Sequence, residues 1–124
     1  MGLFGKSKKE KEAEYLEQLD IPASLTENFK LVVDDVFTII GVGTVATGTA
    51  ENGMCRVGED IEIVTANDTL KSTITGIDVH TKERKANGCG YRTEHLGIGL
   101  RGISKEQVNK GDILIVKNGG MYAR

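Results

Sequence analysis

Four short stretches of this chain contain residue types that do chemistry elsewhere. GVGTVA (41–46) fits the G-x-G-x-x-G/A pattern of a dinucleotide-binding loop, GKS (5–7) fits the end of a phosphate-binding loop, and NKGD (109–112) fits the N-K-x-D element that reads guanine. His80, His95, Cys55 and Cys89 are the residue types of a zinc site. Each needs a context that is missing here. A glycine-rich loop holds a pyrophosphate only where a strand feeds it and a helix follows, because the phosphate rests on the helix's free N–H groups. After Ala46 the chain reads TGTAENG, and the β-branched Thr44, Val45, Thr47 and Thr49 predict a strand running into a turn. The acidic partner due about 20 positions on would be Glu62, inside the alternating stretch EDIEIV. The first glycine of a phosphate loop ending in GKS would fall before Met1, and NKGD has no phosphate site to accompany it. The cysteines and histidines lack the paired close spacings of metal sites. The residues therefore predict no nucleotide, no cofactor and no metal. No Ser-His-Asp, Cys-His or paired-carboxylate set can be placed, so a non-catalytic protein is expected; His80 and His95 are the one pair that could meet across adjacent strands.

Composition narrows the elements that could position such residues. The 124 residues are enough for one small domain with its own core. Sixteen basic and eighteen acidic residues leave a net charge of −2, so any affinity for nucleic acid or an anionic membrane must be local. Two distant cysteines and no apolar signal segment fit a reduced, cytoplasmic protein. No apolar run approaches the roughly 20 residues that span a bilayer. The start, MGLFGKS, has Lys6 where a myristoylation signal has Ser or Thr. Sixteen glycines, one proline and many Val, Ile and Thr predict short strands joined by tight turns.

The chain divides near Pro22, into residues 1–24 and a β domain over 25–124. KSKKEKEAEYLEQLD (6–20) is rich in helix formers and places Tyr15 and Leu19 at i and i+4. It reads either as a charged, frayed tail or as a short amphipathic helix. In the second case Tyr15, Leu16 and Leu19 dock on the barrel or on a partner, leaving Lys6, Lys8, Lys9 and Lys11 for an anionic surface.

From Leu25 onward the pattern is of strands. FKLVVDDVFTII (29–40) alternates as Phe29, Leu31, Val33 and then Phe37, Ile39, and the doubled Asp34 and Asp35 interrupt it where a bulge would fit. GTVATGTA, DIEIVTA, LKSTITGIDVH, HLGIGLRG and DILIVK follow. Six such strands predict an all-β fold, a closed six-stranded antiparallel barrel, since closure removes exposed edges. RVGEDIEIV (56–64) and NKGDILIV (109–116) both set Gly-acid before an alternating strand, which predicts one turn geometry used twice.

FKLVVDDVFTIIGVGTVATGTAENGMCRVGEDIEIV, KSTITGIDV and LRGISKEQVNKGDIL resemble the second domain of elongation factor Tu and of other translational GTPases, over roughly residues 28–117. The resemblance implies a β-barrel in which GTVATG is strand and turn and NKGD a polar turn before the last strand, with the GTPase domain left out. It also implies contact with RNA, the acceptor end of tRNA or the ribosome. Asp35, Phe37 and Ile39 match the strand lining the family's aminoacyl and terminal-adenosine pocket. Thr47 matches a nearby threonine, and Asp78 stands where the family has a glutamate beside the adenosine. Val42 and Thr81 stand where arginines are usual, and His95 replaces an asparagine. Losing two arginines removes the groups best able to grip phosphate bidentately.

The residues themselves leave alternatives open. Phe37 and Ile39 read first as core, by alternation, and second as a stacking surface. HTKERKANGCGYR gathers Lys82, Arg84, Lys85 and Arg92 around Tyr91, either as a solvated hairpin tip or as a loop that tracks a phosphate backbone. Two functions are expected on these grounds. One is a translation-factor-like module contacting tRNA or the ribosome. The other is a protein interaction module whose barrel face or N-terminal helix is covered by a partner chain or a second copy.

Overall fold

A computed structural model of the protein describes residues 8–121. The GKS stretch with Lys6, and the side chain of Lys8, lie outside the described residues. Helix α1 (Lys8–Gln18) and the single turn α2 (Ile21–Ser24) precede eight strands: β1 (Phe29–Ile39), β2 (Gly43–Asn52), β3 (Met54–Arg56), β4 (Asp60–Val64), β5 (Thr69–Val79), β6 (Cys89–Tyr91), β7 (His95–Leu100) and β8 (Ile113–Val116). Six of them close an antiparallel barrel in the order β1-β2-β7-β5-β4-β8, with β8 paired back to β1. β3 and β6 form a separate two-stranded ribbon that strand periodicity does not reveal, since MCR and CGY are too short to show alternation.

The barrel is filled by alternate side chains. Phe29, Leu31 and Val33 from β1, Ile61 and Ile63 from β4, Leu96, Ile98 and Leu100 from β7 and Leu114 from β8 are all buried. Each such side chain contributes roughly 1.5–3 kcal/mol by leaving water, and together they are the main force closing the barrel.

β1 departs from simple alternation at one point, and that point matters for the surface. Val33 faces Gly48 and Asp35 faces Thr47, so Asp34 is an extra residue with no partner of its own, a bulge. An inserted residue flips every later side chain to the opposite face. Inward positions therefore run Phe29, Leu31, Val33 and then Val36, while Phe37 and Ile39 turn outward and are 44% and 45% exposed. The expectation that these two are core residues is overturned by this change of parity.

The glycines of GVGTVA form a hairpin turn between β1 and β2. Gly41 and Gly43 have φ of 84° and 101°, and the Val42 N–H donates to Ile39 O at 3.0 Å. The chain runs directly into β2 and no helix follows. The two Gly-acid turns coincide in detail. Gly58 and Gly111 both have φ of 94°. Glu59 accepts from the Arg56 N–H at 2.5 Å, as Asp112 accepts from the Asn109 N–H at 2.8 Å. The NKGD carboxylate is thus spent on its own turn and is buried.

Candidate functional site: the bulge face and the histidine pair

The bulge turns one outer face of the barrel into a site. Across β1, β2, β7 and β5, the register aligns Asp35, Thr47, Gly97 and Asp78 in one row and Phe37, Val45, Gly99 and Gly76 in the next. Leu96, Ile98 and Leu100 point inward, so Gly97 and Gly99 lie on the outer side, where both are buried, Gly97 beside Val45 and His80 and Gly99 under the Thr75 hydroxyl. A Cβ on Gly97 would lie 3.3 Å from Val45 Cγ1 and 3.6 Å from His80 Nε2. The face carries Phe37 and Asp35 at one edge and Asp78 at the other, with β2 and β7 between them. Asp35 and Asp78 are exposed, while Thr47 is buried. Asp35, Phe37 and Thr47 are thus close together, Asp78 shares the row of Asp35 three strands away, and Ile39 continues the line of β1 toward the hairpin tip.

One end of this face carries a string of hydrogen bonds that ends in a looser polar contact. Thr47 Oγ1 donates to Asp34 Oδ1 at 2.7 Å, and Asp34 Oδ2 lies 2.8 Å from His95 Nε2. His95 Nδ1 meets His80 Nδ1 at 2.5 Å, and His80 Nε2 lies 3.3 Å from Asp78 Oδ2. The bonds from Thr47 and His95 hold the Asp34 carboxyl below its ordinary value of 3.8, so it is ionised at neutral pH. β5 ends and β7 begins side by side, with the His80 N–H bonded to His95 O at 3.0 Å, and this is what joins the two rings.

The basic loop after β5 is divided by the structure. Lys82 and Lys85 are exposed, and with Lys9 and Glu12 of α1 they line a cleft between helix and loop. Arg92 is half-buried, 3.8 Å from Glu27. Arg84 does not belong with them. It is buried, and all five of its N–H groups are used: two on Glu94 at 2.7 and 2.8 Å, and three on the carbonyls of Lys85, Ala86 and Cys89. Its guanidinium also sits 4.8 Å from the centre of the Tyr91 ring. Arg84 is a structural cation and has no donor left for a phosphate.

Glu94, which nothing in the local sequence singles out, organises this end of the molecule. Besides Arg84 it accepts from the Tyr91 N–H at 2.8 Å and from the Tyr15 hydroxyl at 2.7 Å. Burial, and then the bond to Glu94, push the Tyr15 phenol well above its ordinary value of 10.0, so it remains a donor throughout the neutral range. The N-terminal segment is thus a helix laid on the barrel, with Leu19 buried and Tyr15 and Leu16 half-buried against their own chain. Of the three, Leu19 is enclosed and Tyr15 is bonded to Glu94, while Tyr15 and Leu16 keep part of their surface open. Tyr15→Phe is expected to cost on the order of 1.5 kcal/mol, the lower end for a hydrogen bond to a charged group. Hydrogen exchange should quicken over residues 9–18 and stay unchanged in β7. Equal protection of α1 in both proteins would show that the hydroxyl does not hold the helix.

A family model for elongation factor Tu domain 2 matches residues 43–115. The chain belongs to that family. The match covers more than half of the sequence, from the start of β2 into β8, and so includes Thr47, Asp78, the histidine pair and the basic loop. The chain is accordingly a translation-factor-like module built on the family's β-barrel, and in elongation factor Tu this domain is non-catalytic. Among the described residues no helix is long and apolar enough to cross a membrane, and no three metal-ligating side chains converge.

Proposed function

We propose that the domain-2 barrel is a non-catalytic binding module that contacts RNA, either the acceptor end of tRNA or ribosomal RNA, through the bulge face and the adjacent loop. The observation that carries this reading is the outward turn of Phe37 beside Asp35, on the barrel face that also carries Asp78. An exposed ring on the outer face of the barrel suits base stacking, which is worth about 1–3 kcal/mol per base. The carboxylates of Asp35 and Asp78 are acceptors for ribose hydroxyls, the groups that distinguish RNA from DNA. They repel phosphate, so the phosphates fall to Lys82 and Lys85, with Arg92 at the margin.

Fluorescence anisotropy with labelled tRNA, measured across a salt series, tests the proposal. Lys82→Ala with Lys85→Ala is expected to weaken binding uniformly and to lower the salt slope by about 1 for each lysine. Phe37→Ala should weaken binding with the slope unchanged. A slope that is the same with and without the two lysines would remove the phosphate role.

A second reading rests on a different observation. Ile40 is fully exposed and Val42 53% exposed at the hairpin tip, next to Ile39, an apolar knob of the kind protein partners cover. In that case tRNA gives no salt-dependent signal, the lysine pair is silent, and Ile40→Ser abolishes association with a partner chain.

A further inference from the structure

We infer that helix α1 forms part of the RNA surface: Lys9 on the helix, with Lys82 and Lys85 on the loop after β5, holds a phosphodiester group of a single-stranded segment, and the bond from Tyr15 to Glu94 is the positioning contact that keeps Lys9 there. The inference rests on the reading of the barrel as an RNA-binding module. It adds a second wall that the barrel alone does not have.

The cleft is built from two parts of the chain. Lys9 and Glu12 stand on α1, and Thr81, Lys82, Glu83 and Lys85 on the loop, around a space of about 390 Å³. The three lysines are exposed, and among the described residues none of their ammonium groups takes part in a hydrogen bond or an ion pair. Each brings three N–H donors. Arg84, which also lines the cleft, is the opposite case, since its donors are spent on Glu94 and on carbonyls. The carboxylates do not cancel the lysines. Three ammonium groups face two carboxylates, and that of Glu83 is bonded by the Thr81 hydroxyl and lies in the field of Lys11 as well. A cleft with an excess of one sign concentrates the opposite charge within it.

Shape decides between anionic partners. Lysines on facing walls flank a strand that enters the cleft, as in the grooves that track a single-stranded backbone. The flat surface of a membrane meets only the rims. The cleft also continues the bulge face, because β5 ends at Val79, His80 carries the ring bonded to His95, and Thr81 already lines the cleft. A strand that leaves that face past the histidine pair meets the cleft next.

Lys9 depends on how α1 lies. Tyr15, six residues further on and so roughly 9 Å along the helix, is fixed by its hydroxyl on Glu94 at 2.7 Å, and Leu19 is buried beyond it. Glu94 also holds Arg84 in the loop wall. One buried carboxylate therefore clasps both walls.

Anisotropy of labelled tRNA with the full chain, over a salt series, tests the inference. Lys9→Ala should lower the salt slope by about 1, as for one phosphate contact, and Lys9→Arg should keep it. Alanine favours the helix more than lysine does, so the loss does not come from unwinding α1. Tyr15→Phe should lower the slope too, and Lys9→Ala should then have a smaller effect in the Tyr15→Phe protein than in the unmodified one. An unchanged slope in Lys9→Ala, beside a lowered slope in Lys82→Ala with Lys85→Ala, would remove α1 and leave the RNA reading in place. The absence of salt-dependent tRNA binding by the unmodified protein would remove both. Equal effects of Lys9→Ala with and without the Tyr15 hydroxyl would overturn the positioning role. Sedimentation with phosphatidylserine vesicles that needs Lys9, when tRNA binding does not, would assign the helix lysine to a membrane.

Discussion

Glu94→Ala should lose about 3–5 kcal/mol of folding stability, the usual consequence of removing one partner from a buried ion pair. The reason lies in what remains. Arg84 is buried with only carbonyls and the Tyr91 ring left around it, and a guanidinium keeps its charge, so an unpaired cation is left enclosed. The same substitution orphans the Tyr91 N–H and the Tyr15 hydroxyl, so the ribbon end and helix α1 loosen together. Natural domains have only about 5–15 kcal/mol in hand, so this single change removes much of the total. Urea denaturation checks it. A loss under about 1 kcal/mol would show that the pair is solvated in practice, as exposed pairs are. Replacing both Arg84 and Glu94 by apolar residues of similar size should restore much of the loss, because no unpaired charge is then left buried.

This hub also shows where the sequence stops being informative. All six barrel strands were legible from alternation and turn residues, and so was the place of the bulge at Asp34 and Asp35. The face taken by Phe37 and Ile39 was misread because alternation was carried straight through the bulge, although one extra residue must invert it. The difference between Arg84 and its neighbours Lys82 and Lys85 had no such signal. All three sit in one polar run, and only the fold of that loop over Glu94 decides which charge is enclosed. Glu94 itself, between a threonine and a histidine, has the look of a solvated residue. The histidine contact was open to reasoning from strand order, since β5 and β7 are neighbours and place residues 80 and 95 at adjoining ends. The two aspartates on the outer nitrogens come from a bulge and from a register, both three-dimensional facts.

Gly48→Ala is the second large effect expected, and it joins the fold to the site. A Cβ at this position would lie 2.1 Å from the carbonyl oxygen of Val32 and 2.7 Å from Leu31 Cδ2. Neither can yield. The oxygen belongs to the neighbouring strand, and Leu31 is fully buried in the barrel. Overpacking of this kind costs about 1–3 kcal/mol, and a backbone contact so short puts this case at or above the upper end. Gly97→Ala is the control, because its Cβ meets nothing closer than Val45 Cγ1 at 3.3 Å and a small side-chain shift relieves it. The Gly48 protein should therefore show a clearly lower urea midpoint than the Gly97 protein. Gly48 faces Val33, the residue before the bulge, and follows Thr47, whose hydroxyl holds Asp34. Pushing β1 from β2 at this point moves Asp34 away from His95, so the His95 ring nitrogen signals should shift in the folded Gly48→Ala protein as they should in Asp34→Asn. If stability falls and the His95 ring signals stay in place, Asp34 is held by His95 alone and the bulge is not what positions it.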